Sequence, residues 1–350
     1  MQEIEFKFQV PVKKRKALQK AFTLLKAEPI HLAAQYFDTA DQTLAKHCIA
    51  IRRRQENDEW KQTFKAVDTA KALGRFELEF DIEPPETTTL DLDNYKKDYS
   101  AIYKKLKRAL GLPLPTLELL FETNIQRLRV LQNIESSTVE IALDIGKIFK
   151  EQNSVDIFEI EFELKQGSTE DLIAFIRPWV QKYQLSLDTH SKSDYGLLAV
   201  RQQSCFPAQY QTLLLLNRSS RETEALQSIV ANCLQHLLPN ASSIARQQYS
   251  TEHVHQARVA IRRLRTALKS FAAWSEATQP HWKAELTTIF QALGGTRDID
   301  ALNEDLLPQL IEAGYPLDYL APSTEAISDV CALFQRPETC LLYTSPSPRD

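Results

Sequence analysis

The chain is poor in the residues that most directly announce a function. Eight glycines in 350 residues leave no Gly-rich loop to cradle a phosphate. The five cysteines, Cys48, Cys205, Cys233, Cys331 and Cys340, are scattered and odd in number, with no CxxC pair. That spacing excludes a disulfide framework and a thiolate zinc site, and fits plain thiols in a reducing cytosol. No apolar run approaches the ~20 residues of a membrane span. The opening MQEIEFKF is charged from its third residue and has no signal-peptide core. A cytoplasmic protein without a membrane partner is expected. The formal net charge is −4, from 42 basic and 46 acidic residues. No global positive field therefore drives nucleic-acid binding, and an anion site must be a local concentration of Lys and Arg.

What is present is ordinary globular composition, 43% hydrophobic and 25% charged. At roughly 100–200 residues per domain, the length suggests two domains. The grammar changes between them. Residues 1–200 read mostly as strands, 201–212 as a linker around Phe206-Pro207, and 213–337 as helices. The Ser/Pro-rich stretch 338–350 has no helical period and reads as foreign, a translated cloning or assembly scar. The helical part then reads as truncated.

Side chains on a strand alternate between faces. Glu3, Glu5 and Lys7 oppose Ile4, Phe6 and Phe8. Arg52 and Arg54 oppose Ile51 and Arg53, and Thr63 and Lys65 oppose Gln62 and Phe64. Arg75, Glu77, Glu79 and Asp81 oppose Phe76, Leu78, Phe80 and Ile82. Arg127 and Arg129 oppose Leu128 and Val130. Glu140 and Asp144 oppose Val139, Ile141 and Leu143. Glu159, Glu161 and Glu163 oppose Phe158, Ile160, Phe162 and Leu164. An antiparallel sheet with one solvated face would give such alternation strand by strand. Solvated faces also carry Ser, Thr, Asn and Gln, whereas here one face is charged with both signs. A closed barrel with a charged lumen explains the set better, its apolar outside covered by helices expected at 13–26, 101–110 and 169–183. Lys and Arg clamp phosphate oxygens, and carboxylates hold a hard divalent cation that bridges the same oxygens. Mixed charge is the signature of a metal–polyphosphate site.

In order along the chain, Glu3-Ile4-Glu5-Phe6-Lys7 resembles the ExExK signature of the CYTH, or triphosphate tunnel metalloenzyme, superfamily. Tyr36-Phe37-Asp38-Thr39, Ile51-Arg52-Arg53-Arg54, Thr63-Phe64-Lys65 and Arg75-Phe76-Glu77 resemble its later motifs. So do Phe121-Glu122-Thr123 with Arg127, Asp144, Glu159-Ile160-Glu161 and Ser191-Lys192-Ser193. The resemblance implies an eight-stranded antiparallel β-barrel tunnel, within an α+β chain, that hydrolyses or rearranges triphosphates with Mg²⁺ or Mn²⁺. It implies that Lys7, Arg52, Arg54, Lys65, Arg75, Arg127 and Lys192 grip the triphosphate. Glu3, Glu5, Glu159 and Glu161 would hold metal, with Asp144 and Glu163 as further ligands. Glu5, Lys7 and Lys65 would be the catalytic core. Arg53 departs from the pattern and should point outward, to a surface or interdomain role.

Residues 250–271 read as one amphipathic helix with Ala257, Ile261, Leu264 and Leu268 as its apolar stripe. His255, Arg258, Arg262 and Arg265 span only about 80° of it. A solvated basic face and a track for a polyanion both fit, and no exposed aromatics are interleaved for base stacking. This stretch, with Leu293-Gly294-Gly295-Thr296-Arg297-Asp298-Ile299-Asp300, resembles the CHAD domain, a helical bundle associated with polyphosphate. The resemblance implies polyphosphate binding by His255, Arg258, Arg262, Arg265 and Arg297. His31, His47 and His281 lack metal-ligand spacing and read as structural. The order of the two domains resembles that of bacterial inorganic triphosphatases, so cleavage of tripolyphosphate to pyrophosphate and phosphate leads. A thiamine or nucleoside triphosphatase, a CYTH-type adenylate cyclase and a non-enzymatic polyphosphate binder are the alternatives. Neither the general base nor the oligomeric state is legible.

Overall fold

The computed structural model describes residues 2–67, 75–90, 92, 95, 99–217, 219–275, 279–301, 307–313 and 329–343. The chain divides into two units, Met1–Leu172 with His190–Ser204 and Ile173–Thr189 with Cys205–Asp350.

In the first unit the strands are β1 Gln2–Glu3, β2 Glu5–Gln9, β3 Glu28–Asp38, β4 Ile49–Glu56, β5 Glu59–Val67, β6 Arg75–Ile82, β7 Glu118–Ile134, β8 Ser137–Lys150 and β9 Asn153–Gln166. They pair antiparallel in the order β1-β6-β5-β4-β3-β7-β8-β9-β2. The two ends of that order are consecutive in the chain, with Ile4 between them. Residues 2–9 therefore form one strand that pairs with β6 through Glu3↔Arg75 and with β9 through Glu5↔Glu163. That double pairing closes the sheet into the expected barrel of eight strands. Closure removes both sheet edges and leaves a lumen wide enough for side chains or one small ligand.

Scarce glycine shows in the hairpins. The two-residue turns between β4 and β5, β7 and β8, and β8 and β9 are entered through Asn57, Glu135 and Glu151 at φ 55°, 49° and 54°. Turns whose twist suits paired strands need such positive φ. Two glutamates hold it here without the freedom glycine has.

The helices of this unit are α1 Val12–Leu24, α2 Thr43–Lys46, α3 Ser100–Leu110 and α5 Lys192–Val200, and α4 Thr169–Tyr183 runs on into the second unit. The expected helices at 13–26, 101–110 and 169–183 form within two residues of those bounds. Alternation sends Phe37, Ile51 and Phe64 outward, where they pack with Tyr95, Ile102 and Leu106 under α3. α1 buries Leu18 and Phe22 and lays Arg15 4.6 Å over the ring of Phe158. Arg53 lies on the outer face as expected. It donates to the carbonyls of Thr87 and Thr89 and sits over the Phe37 ring.

The second unit packs α6 Glu222–Ala245, α7 Thr251–Ser270, α8 Pro280–Ala301 and α10 Val330–Gln335 around one apolar core; α9 is Leu307–Glu312. The expected stripe of α7, Ala257, Ile261, Leu264 and Leu268, lies in that core. Residues 338–343, expected without helical period, are corrected to a helix, α11 Pro337–Tyr343. So short a helix, about two turns, is held there by the burial of Thr339 and Cys340; residues 344–350 lie outside the described ones.

One glycine ties a helix to the lumen. A methyl group at Gly196 of α5 would lie 2.1 Å from Cε2 of Phe121. Phe121 stacks on Tyr36 at 4.5 Å, and the Tyr36 hydroxyl accepts from Arg52. Gly196→Ala is expected to cost about 1–3 kcal/mol through overpacking, read as a lower melting temperature; an unchanged melt would mean that the Phe121 ring yields.

Candidate active site

Inward alternation brings the charges together. A cavity of about 500 Å³ in the barrel is lined by Lys7, Arg52, Arg54, Lys61, Lys65, Arg127, Arg129, Lys165 and Lys192. The same cavity is lined by Glu5, Glu56, Glu77, Glu79, Glu140, Glu161, Glu163 and Asp194. Register places many of them as opposite-sign cross-strand neighbours: Lys7↔Glu161, Lys65↔Glu77 and Arg127↔Asp144.

On the β4–β6 wall, Lys65 Nζ lies 2.7 Å from Glu77 and Arg52 lies 3.7 Å from it. Arg54 reaches Glu79 at 3.1 Å and Glu56 at 3.3 Å, and Thr63 donates to Glu79 at 3.0 Å. Burial, with Arg52 beside it, lowers the pKa of Arg54. Burial alone would raise the Tyr36 phenol, but the Arg52 guanidinium outweighs it and the pKa falls.

The opposite wall is tighter. Asp144 and Glu159 are fully buried, and their carboxylates with that of Glu161 place ligand oxygens within 4.8 Å of one another. Arg127 donates to both Asp144 oxygens, at 2.7 and 2.6 Å, and to Glu161. Lys7 reaches Glu159 at 3.2 Å and the His190 carbonyl. Lys192 lies 2.7, 2.5 and 2.6 Å from Asp144, Glu159 and Glu161. A capping box of Ser191 with Asp194 starts α5 and fixes where Lys192 leaves the backbone. Burial opposes ionisation of Glu161, yet Lys192 and Arg127 hold its carboxyl well below the usual range. Two residues on, burial pushes the Glu163 carboxyl up despite Lys165 at 2.7 Å, with Glu140 and Glu5 repelling it.

Of the expected site residues, Glu5, Lys7, Arg52, Arg54, Lys65, Arg127, Glu161, Glu163 and Lys192 line the cavity, and Asp144 and Glu159 lie in the adjoining cluster. The side chains of Glu3, Arg75 and Arg297 lie outside the described residues. Lys192 sits among carboxylates, and Asp144 is a full member of the cluster. Tyr36, Glu56, Lys61, Arg129, Glu140 and Lys165 were not singled out as ligands, although alternation with their neighbours places them inward. The neighbouring Asp38 is structural: it accepts from the backbone N–H groups of Thr39, Leu44 and Ala45 and caps α2.

Three hard carboxylates around one point fit a divalent cation by donor chemistry. The guanidinium and ammonium groups around the cavity fit phosphate oxygens. In the helical unit, Arg258 and Arg265 of α7 stack on the Phe290 ring at 4.8 and 4.9 Å, Arg262 is exposed and His255 is half-buried. Arg263 turns inward instead, donating to Asn232 at 2.6 Å beside His236.

The opposite shifts of Glu161 and Glu163 predict opposite pH behaviour in chelator-treated protein. The lowered Glu161 contributes stability present above its ordinary value of 4.5 and lost as pH falls through the folded one. Melting of Glu161→Gln should lie below wild type near neutrality and converge with it in acid. The raised Glu163 contributes stability that is lost as pH rises, so Glu163→Gln should match or exceed wild type near neutrality. Parallel melting curves for the two variants would contradict both assignments.

A model of the CYTH domain matches residues 1–194, and one of the CHAD domain matches residues 228–336. An inorganic triphosphatase of Haemophilus influenzae is 31% identical over 204 residues, 57% of this chain and 55% of that protein. The chain thus spans about half the length of that curated relative. A putative adenylate cyclase of Bacillus halodurans is similar in structure, with a TM-score of 0.40 and 21% identity over 55% of this chain and 96% of that one. A putative adenylyl cyclase from Hippeastrum, described as having a dominant triphosphatase activity, has a TM-score of 0.40 and 18% identity over 57% of this chain and 96% of that one. A CHAD domain from Ricinus communis has a TM-score of 0.29 and 29% identity over 41% of this chain and 47% of that one. Matched by the CYTH model over more than half its length, the chain belongs to the CYTH family and carries a CHAD domain after its barrel.

Proposed function

We propose that the barrel hydrolyses inorganic triphosphate to pyrophosphate and phosphate with a divalent cation, Mg²⁺ or Mn²⁺. The observation that carries this reading is the lumen itself. Cations and carboxylates in near-equal number surround one cavity, with three carboxylates gathered at one point. Each half of that set neutralises the other until a ligand arrives. A metal–triphosphate complex brings both signs, so it can replace the internal pairs without leaving buried charge unpaired. The triphosphatase relative points the same way.

Asp144, Glu159 and Glu161 would hold the cation, with Glu5 and Glu163 on the adjoining stretch of β2 and β9. The cation would supply charge neutralisation at the phosphoryl oxygens and a lowered pKa for bound water. Lys7, Arg52, Arg54, Lys65 and Arg127 would grip the triphosphate. Water adds to the terminal phosphorus, the bond to the bridging oxygen breaks, and pyrophosphate leaves with the electron pair. Positioning and charge stabilisation carry most of such a step. Among the described lining residues Tyr36 is the one aromatic side chain, and it is held by Phe121 and Arg52. The described lining therefore offers no free platform for a base or thiazole ring, which favours inorganic triphosphate over nucleotide or thiamine substrates. In the helical unit, His255, Arg258, Arg262 and Arg265 form a ridge that would bind long-chain polyphosphate.

The test is phosphate release from tripolyphosphate with Mg²⁺, with Mn²⁺ and with EDTA, beside ATP and thiamine triphosphate. Metal-dependent release favouring tripolyphosphate is expected, and no release by folded protein would leave only a binding role. Lys65→Ala should lower kcat/KM about 100-fold, and an unchanged value would remove Lys65 from the site. Arg262→Ala should weaken polyphosphate binding and spare tripolyphosphate hydrolysis; loss of hydrolysis would show that the ridge is coupled to the lumen.

A further inference from the structure

The position between Asp144, Glu159 and Glu161 has two claimants. Their oxygens have the spacing that suits one hard cation. The same three carboxylates hold the Lys192 ammonium at 2.7, 2.5 and 2.6 Å. A divalent cation and an ammonium cannot share that point.

We propose that Lys192 is a built-in counter-ion that keeps the cation's place: a divalent cation binds by displacing the Lys192 ammonium from Asp144, Glu159 and Glu161 into the lumen. There it joins the groups that grip phosphate. This inference rests on the reading of the lumen as a metal–triphosphate site.

Charge balance supports displacement over co-occupancy. The three carboxylates are matched by Lys192, Arg127 and Lys7. A divalent cation added beside all three would leave two surplus positive charges in a buried cluster. With the ammonium gone, one remains, and a phosphate oxygen offsets it. Lys192 is the group free to leave. Arg127 is held by a two-pronged bond to Asp144, and Lys7 is also held by the His190 carbonyl. The Lys192 side chain borders the cavity, while its backbone is fixed by the Ser191–Asp194 capping box. Rotation of its four-carbon stem therefore suffices, with no movement of α5. Before metal arrives, the ammonium keeps three buried carboxylates from repelling one another.

The test is calorimetric titration of Mn²⁺ into the chelator-stripped chain, both units included, without phosphate. Lys192→Met should bind Mn²⁺ about tenfold more tightly than wild type, or better. Its melting temperature without metal should be lower, and the rise on adding Mn²⁺ larger. Lys192→Gln, neutral and polar, should behave likewise if the Met variant folds poorly. Equal or weaker Mn²⁺ affinity in a folded variant overturns the displacement. Wild type gives a separate readout, because saturating Mg²⁺ should speed amine-reactive labelling of Lys192, seen by mass spectrometry, relative to the exposed Lys147. Unchanged labelling overturns the proposal. Failure of both wild type and variant to bind Mn²⁺ would overturn the metal reading of the cluster, and the inference with it.

Discussion

Charge pairing inside a closed barrel is the constraint on which the rest depends. An ionised side chain taken out of water costs several kcal/mol unless a partner meets it. This lumen gathers charges on every strand but β3, which contributes Ile30, Leu32 and Tyr36, so each carboxylate must be placed against a cation. Cross-strand register does most of the placing, as in Lys7 against Glu161 and Lys65 against Glu77. Where register sets like against like, as with Glu5, Glu163 and Glu140, Lys165 reaches two of the three, at 2.7 Å from Glu163 and 3.6 Å from Glu140. The lumen is thus a store of exchangeable ion pairs rather than a packed core. That explains how the barrel stands with so many charges inside it.

The outside of the barrel is built on the opposite principle. Phe37, Ile51 and Phe64 stand one residue away from the lumen positions Tyr36, Arg52 and Lys65, and they bury apolar surface under α3. One strand thus serves both the core and the site. Substitutions in the two rows should differ in kind: the outer row sets stability, and the inner row sets what the cavity holds. The contact of Gly196 with Phe121 joins them, since the same ring packs against α5 on one side and supports Tyr36 on the other.

Much of this was legible in the sequence because strand alternation has a period of two and charges are conspicuous. The inward rows follow from that, the apolar stripe of α7 follows from the helical period of 3.6, and the count of eight strands came from the family resemblance. Less legible were features that depend on which strands become neighbours. Asp144 looks like an isolated inward acid until β8 is laid between β7 and β9, which sets it opposite Arg127 and Glu159. Lys192 lies on a helix after the last of these strands, and nothing in its spacing says that it turns back among their carboxylates. Arg263 was masked by its neighbour Arg262: two adjacent arginines share a sequence signature, but a rotation of about 100° sends one to solvent and the other to Asn232. Burial of Thr339 and Cys340 against the rest of their unit likewise needs a tertiary partner that a local reading does not supply.

Closure of the barrel through residues 2–9 has a consequence in time. The first strand of the barrel cannot find its partner on β9 until about 150 further residues have been made, as the Lys7–Glu159 separation of 152 shows. Contacts so distant in sequence slow folding, because the loop must close before the pairing repays it. Until then the first strand's Gln2–Glu3 end can already meet β6, but the edge that will meet β9 stays open along alternating Phe and charged side chains. The lumen is therefore the last feature of its unit to exist, and a growing chain cannot bind its ligand before the whole ring of strands is complete.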